Sequence, residues 1–178
     1  LHFDGMEARV PAGLMRSGEP AYFNFDFLNG ERGAHVNISG VSGVATKTSY
    51  ALFLLHAMLN AEALGKQRAN TKALIFNVKG EDLFFLDKGN RKRLLIEEKL
   101  GERPYDALGL PAVPFRDVRF YAVAKPHGQT VQPHLNQRAD NVGIYMWGLR
   151  EVCRDRLFRF LFADQDLDRG MLGYAVSA

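Results

Sequence analysis

With 178 residues, close to half of them hydrophobic, the chain is long enough to bury one sizeable core and lies near the usual size of a single domain. A formal charge of +3 and a pI near 9.1 are mild, compatible with a polyanionic partner without selecting one. The single cysteine, Cys153, excludes an internal disulfide framework, no apolar stretch has bilayer-spanning length, and the opening LHFDGMEARV lacks the basic start and apolar centre of a leader, so a cytoplasmic protein without membrane association is expected.

Residues 5–10 and 20–27 alternate polar and apolar side chains and read as short strands, punctuated by Pro11, Gly13, Gly18 and Pro20. Residues 1–33 are accordingly a strand-rich lead-in to a core running from residue 34 to 178. Residues 35–55, HVNISGVSGVATKTSYALFLL, follow with an alternating apolar run, a glycine-bearing loop, Lys47-Thr48 and a long apolar stretch of helical character. This is the layout of a phosphate-binding loop. A strand leads into a turn whose N–H groups point inward, and a helix then presents its positive dipole end to the same point.

The match to the pattern G-x-x-x-x-G-K-[ST] is irregular. Gly40 to Lys47 is seven positions where the pattern has six, so either the loop carries one extra residue or the frame begins at Val41. In the second frame Thr46 stands where the pattern has glycine, and its side chain crowds the backbone's approach to a phosphate. Chemistry assigns the roles. Gly40, Ser42, Gly43, Val44, Ala45, Thr46, Lys47, Thr48 and Ser49 form the expected ATP-binding loop, with the N–H groups of residues 43–47 cradling phosphates. The Lys47 ammonium neutralises the terminal phosphate, the Thr48 hydroxyl reaches Mg2+, and Ser49 is the reserve hydroxyl.

The segment from Asn60 to Asn70 closes the first helix, and residues 72–87, KALIFNVKGEDLFFLD, bring an apolar run of strand length that ends near Glu81 and Asp82. Together the runs at 35–39 and 72–78 predict a right-handed βαβ unit with acidic groups at the ligand-binding edge of a parallel sheet. Alternating strands and helices after residue 34 predict a three-layer α/β domain with a mainly parallel sheet. Glu81 is the candidate for orienting water or magnesium-bound ligands, and Asp82 is its reserve.

The pair HVNISGVSG…KTS and ALIFNVKGEDL resembles the HerA/FtsK group of P-loop ATPases, above all the central ATP-binding domain of HerA-like proteins, over roughly residues 8–90. In that family the strand after the P-loop helix ends in D-x-x-G-E-Y. Here Asn77 stands for the Asp, Gly80 and Glu81 match, and Asp82 replaces the aromatic residue. The resemblance implies a RecA-like ATPase core, partial in this segment, within a hexameric ring. It also implies ATP and Mg2+ as cofactors, with Lys47 and Glu81 catalytic, and translocation along double-stranded DNA beside a nuclease partner in DNA processing, transfer or defence. The chain reads as part of something longer, because no apolar run ending in Asp-Glu follows residue 90 to supply a second magnesium carboxylate. A second reading retains the phosphate loop in an assembly or nucleotide-binding module with weak or absent hydrolysis.

Beyond residue 90, RKRLLIEEKLGERPYDAL predicts a helix ending before Pro104 and a loop to Pro114, and residues 117–123 alternate as a third strand. Residues 143–164 predict a long amphipathic helix with Trp147, Leu149, Val152, Leu157, Phe160 and Leu161 as its apolar stripe and Cys153 buried within it. Lys88, Arg91, Lys92 and Arg93 form a basic cluster able to meet a DNA backbone. Arg150, Arg154, Arg156 and Arg159 fall on the predicted helix, where surface ion pairing competes with an arginine-finger role. His127 and His134 share a loop without a third metal ligand nearby, and His35 and His56 are read as packing residues.

Overall fold

The computed structural model describes residues 5–30, 35–41, 46–78, 80–90, 92–100, 103–138 and 140–157. The chain divides into two compact units, Leu1–Val118 and Arg119–Ala178.

In the first unit β1 (Arg9–Leu14) and β2 (Pro20–Asn24) form an antiparallel hairpin whose register slips between Pro11 and Gly13. The turn between them closes with the Gly18 N–H on Met15 O at 2.9 Å, and Gly18 adopts φ +86°, a conformation that a side chain disfavours. At the end of β2 the Asn24 side chain accepts from the Asp26 N–H at 3.0 Å and starts a single 3-10 turn, Phe25–Phe27. That turn directs Phe25 inward. Helix α1 (Thr46–Asn60) packs against β1, tied by the Tyr50 hydroxyl donating to Ala12 O at 2.9 Å. The core is built from Val10, Phe25, Ala57, Ala61, Leu64, Leu108 and Leu110. After Ala61, which is extended, residues 62–69 form a 3-10 segment broken at Gly65, and the short helices α2 (Arg93–Leu100) and α3 (Pro104–Ala107) follow.

His56 is buried in α1 and packs its ring at right angles to those of Tyr105 and Phe115. Its Nε2 lies 3.1 Å from Val113 O, and because a carbonyl only accepts, Nε2 carries the hydrogen. The buried Nδ1 has no hydrogen-bond partner, so a second proton would be buried without an acceptor. Desolvation therefore lowers the pKa of His56 below its ordinary value, against a smaller upward pull from the Val113 bond. The sign follows from linkage. Below the ordinary histidine pKa of about 6.5 the unfolded chain takes up a proton that the folded chain refuses, so stability is complete above that pH and falls as pH drops through it. The thermal midpoint is expected to decline as the pH falls below about 6.5. His56→Leu should flatten that part of the profile; an unchanged acid slope in the variant would exclude His56 as its source.

The second unit is a three-stranded mixed sheet in the order β4-β3-β5. Strand β3 (Phe120–His127) pairs antiparallel with β4 (Thr130–Pro133) and parallel with β5 (Val142–Tyr145), and a short helix α4 (Leu149–Arg154) follows. Alternation along β3 places Phe120 and Ala122 inside and Tyr121 and Val123 outside. Arg138 is buried beneath this sheet, its guanidinium 4.6 Å from the centre of the Phe120 ring.

These sheets overturn the expected three-layer α/β architecture. Among the described residues the ladders are one antiparallel hairpin and one mixed three-stranded sheet, and β3–β5 is the parallel pair. The runs at 35–39 and 72–78 enter no ladder, so the predicted βαβ unit does not form. Both runs carry residues that favour an extended backbone, but pairing depends on a partner far along the chain, which local alternation does not specify. Leu74, Phe76 and Val78 are 80, 83 and 90% exposed as a result. The helix expected over 143–164 is likewise corrected: Val142–Tyr145 is a strand, α4 covers Leu149–Arg154, and residues beyond 157 lie outside those described. The β-favouring Val142, Ile144 and Tyr145 suit a strand, and Gly148 starts the helix by donating its N–H to the Glu151 carboxylate at 3.0 Å. Cys153, expected to be buried, is exposed because so short a helix covers little surface.

Candidate phosphate-binding site

Residues 35–41 approach α1 as irregular chain, and the helix opens at Thr46. Ser42, Gly43, Val44 and Ala45, expected to cradle phosphate, lie outside the described residues. What stands on either side of them is defined. The Lys47 ammonium donates to Gly40 O at 3.1 Å, which brings the two ends of the loop together. A Cβ at Gly40 would stand 3.1 Å from Lys47 Cγ and 3.6 Å from Thr46 Oγ1, so the absent side chain leaves room for the lysine stem.

An open cleft of about 560 Å³ lies at this helix start, lined by Ile38, Ser39, Thr46, Lys47, Ser49, Tyr50 and Phe53. Its chemistry is mixed. Ser39, Thr46 and Ser49 contribute hydroxyls and Lys47 a positive charge, while Ile38, Tyr50 and Phe53 form an apolar wall. The first turn of this 15-residue helix carries no acidic residue to oppose an anion, and the helix dipole favours negative charge there. The groups present fit a phosphate chain: a cation, hydroxyl donors and a helix N-terminus. A magnesium ion would draw its oxygens from the phosphates, water and these hydroxyls, because among the described residues no carboxylate lines the cleft.

Thr48, the expected magnesium ligand, is exposed and is not among the lining residues, whereas the reserve hydroxyl Ser49 is. Glu81 and Asp82 also lie outside the lining. Glu81 opens a 3-10 turn, Asp82–Phe85, after a bend held by the Asn77 amide donating to Gly80 O at 2.9 Å. The lining residues missed from the sequence are Ile38, Ser39, Tyr50 and Phe53. A signal for part of this was available: Thr46, Ser49, Tyr50 and Phe53 follow helical i, i+3, i+4, i+7 spacing and share a face.

In the basic cluster Lys88 stands 4.0 Å from Asp87, Arg93 pairs with Glu97 at 3.6 Å, and Arg91 lies outside the described residues. On α4 the Arg154 guanidinium forms a two-point contact with Asp155 at 2.7 and 2.9 Å, the surface ion pairing expected for this helix, while Arg159 falls outside the described residues. His127 ends β3 and His134 follows β4, both exposed, and no group of three His, Cys, Asp or Glu side chains converges among the described residues. No described helix is long and apolar enough to cross a membrane. No protein-family model matches the sequence, and no curated protein is significantly similar to it.

Proposed function

We propose that the cleft at the start of α1 binds the phosphate end of a nucleoside triphosphate with Mg2+, and that the chain is the ATP-binding segment of a HerA-like DNA-translocating ATPase. The observation that carries the reading is Lys47: its ammonium is anchored on Gly40 O beside the start of a long helix, at a largely apolar cleft to which Ser39, Thr46 and Ser49 bring hydroxyls. In this reading the terminal phosphate replaces the Gly40 carbonyl as the acceptor for Lys47. Ser49 or Thr48 contributes a hydroxyl to the metal, and the apolar wall of Ile38, Tyr50 and Phe53 excludes water from one side. The resemblance of HVNISGVSG…KTS and ALIFNVKGEDL to the HerA/FtsK group supports the wider setting of a hexamer acting on double-stranded DNA beside a nuclease. The proposal rests on the site and on that resemblance, not on the parallel-sheet architecture, which does not form.

The second reading, a nucleotide-binding or assembly module with little hydrolysis, is favoured by one observation: among the described residues no carboxylate lines the cleft to hold magnesium or polarise water. Equilibrium titration with a non-hydrolysable ATP analogue, followed by hydrolysis assays with and without duplex DNA, separates the two. Lys47→Ala removes a charge-assisted hydrogen bond, and affinity should fall roughly 10- to 100-fold while the fold is retained. Undiminished analogue binding in that variant would sink the site. Binding without DNA-stimulated turnover in the intact protein would select the module.

A further inference from the structure

The outward face of the second unit's sheet carries aromatic rings where a solvated face normally carries polar groups. Where β3 runs beside β5 its exposed positions are Tyr121 and Val123; on β5 they are Gly143 and Tyr145. The register sets Tyr121 opposite Gly143 and Val123 opposite Tyr145, so the two tyrosines are diagonal neighbours on one face. Trp147 extends the row, its ring 5.8 Å from that of Tyr145 and at 68° to it. The Tyr121 ring lies flat across the neighbouring strand, since a Cβ at Gly143 would stand 2.9 Å from Tyr121 Cδ1. A glycine at 143 is what allows this ring position. Beside it, Arg119 and Asn141 join Tyr121 and Gly143 in lining an open cleft of about 510 Å³.

We infer that this face binds single-stranded DNA, with bases stacked on Tyr121 and Tyr145 and the backbone drawn to the arginines around them. Three features select that occupant. Charge is the first: residues 119–157 hold six Lys or Arg against three Asp or Glu, with Arg119 in the cleft and Arg150 exposed just after Trp147. Spacing is the second. Diagonal neighbours on a sheet stand about 7–8 Å apart, roughly twice the 3.4 Å step along one strand of a duplex, so the platforms fit a strand pulled out of the helix and not stacked pairs. The third is the apolar ground between them. Val123 is exposed beside Tyr145 and offers a ribose 2′-hydroxyl neither donor nor acceptor, so this surface suits deoxyribose at least as well as ribose. Base stacking on aromatic side chains supplies affinity without sequence preference.

Trp147 is the chain's only tryptophan and reports on the face directly. Titration of the protein with a labelled oligothymidylate should raise the label's anisotropy and quench Trp147 together. Tyr121→Ala and Tyr145→Ala should each weaken binding about 5- to 100-fold, whereas Tyr121→Phe should retain it. Arg119→Gln should reduce the salt dependence by a slope of about 0.7. Gly143→Ala leaves every ring in place chemically but displaces that of Tyr121, and should also weaken binding. Tyr145→Leu, which keeps an apolar side chain on the strand, serves if an alanine variant fails to fold. Unchanged affinity in folded Tyr145 variants, equal affinity for duplex DNA, or higher affinity for oligouridylate would overturn the inference.

Discussion

Phe25→Ala should lower the stability of the first unit by about 3–5 kcal/mol, the range for removing a buried aromatic ring. Phe25 is delivered to the core by the 3-10 turn that ends the hairpin, and its neighbours there include Val10, Ala57, Leu64, Leu108 and Leu110. Two features prevent the site from collapsing around the loss. Ala57 and Ala61 have no side-chain length with which to fill a void, and Val10 is held in a β1–β2 ladder. Against a typical domain stability of about 5–15 kcal/mol the change is large, and the thermal midpoint should drop on the order of 10 °C or more. Phe27 provides the control. It lies two residues further on, is 55% exposed, and its replacement by alanine should cost well under about 1 kcal/mol. Denaturant melts giving equal losses for the two variants would remove Phe25 from the core.

Arg138→Ala should cost about 2–3 kcal/mol and act on the second unit. The Arg138 side chain is 1% exposed. Its guanidinium covers the Phe120 ring, its Nε donates to Asp140 O at 2.9 Å, and an Nη approaches the Asp140 carboxylate at 3.6 Å. A desolvated cation over a ring contributes up to about 2 kcal/mol and a hydrogen bond from a charged donor about 1.5–3 kcal/mol, and the two overlap because both hold one group in place. The carboxylate contributes least, since the Asp140 side chain is mostly in water. Asp140→Asn should therefore be nearly silent, because it keeps the backbone carbonyl that Nε uses. Arg138→Lys should not rescue, because an ammonium cannot lie flat on the ring and reach that carbonyl at once. A destabilising Asp140→Asn alongside a harmless Arg138→Lys would mean that the ion pair, and not the ring contact, holds the residue.

The two classes of error in reading the sequence have one origin. The two strands near the start were visible because their signals are local, alternating side chains on both sides of a turn containing Gly18; that they pair with each other as a hairpin is what the structure adds. The start of α1 was visible for the same reason, as a glycine-bearing loop followed by a long helical pattern. The runs at 35–39 and 72–78, expected as neighbouring strands, form no strand among the described residues, because alternation and β-favouring side chains do not by themselves fix which strand a run will meet. Residues 143–145 fall within the helix expected over 143–164, but so short a stretch also suits a strand, and the ladder with β3 decides for the strand up to Tyr145, leaving Trp147 between it and α4. At the candidate site Lys47 was legible from its motif. Tyr50 and Phe53 were not, because an aromatic on a helix signals packing unless the adjoining loop leaves space beside it.

The unladdered run at 73–78, Ala-Leu-Ile-Phe-Asn-Val, has a colloidal meaning. It is six residues without charge, proline or glycine, rich in β-favouring side chains, and its large apolar groups face water. Such a segment is a template for like segments on other copies, whose stacked strands interlock side chain into side chain. Lys72 before it and Lys79, Glu81 and Asp82 after it are the flanking charges that discourage that approach, in the manner of gatekeepers. The shelf life of this polypeptide in concentrated solution is then governed by encounters between folded molecules, and strengthening the core around Phe25 would not lengthen it.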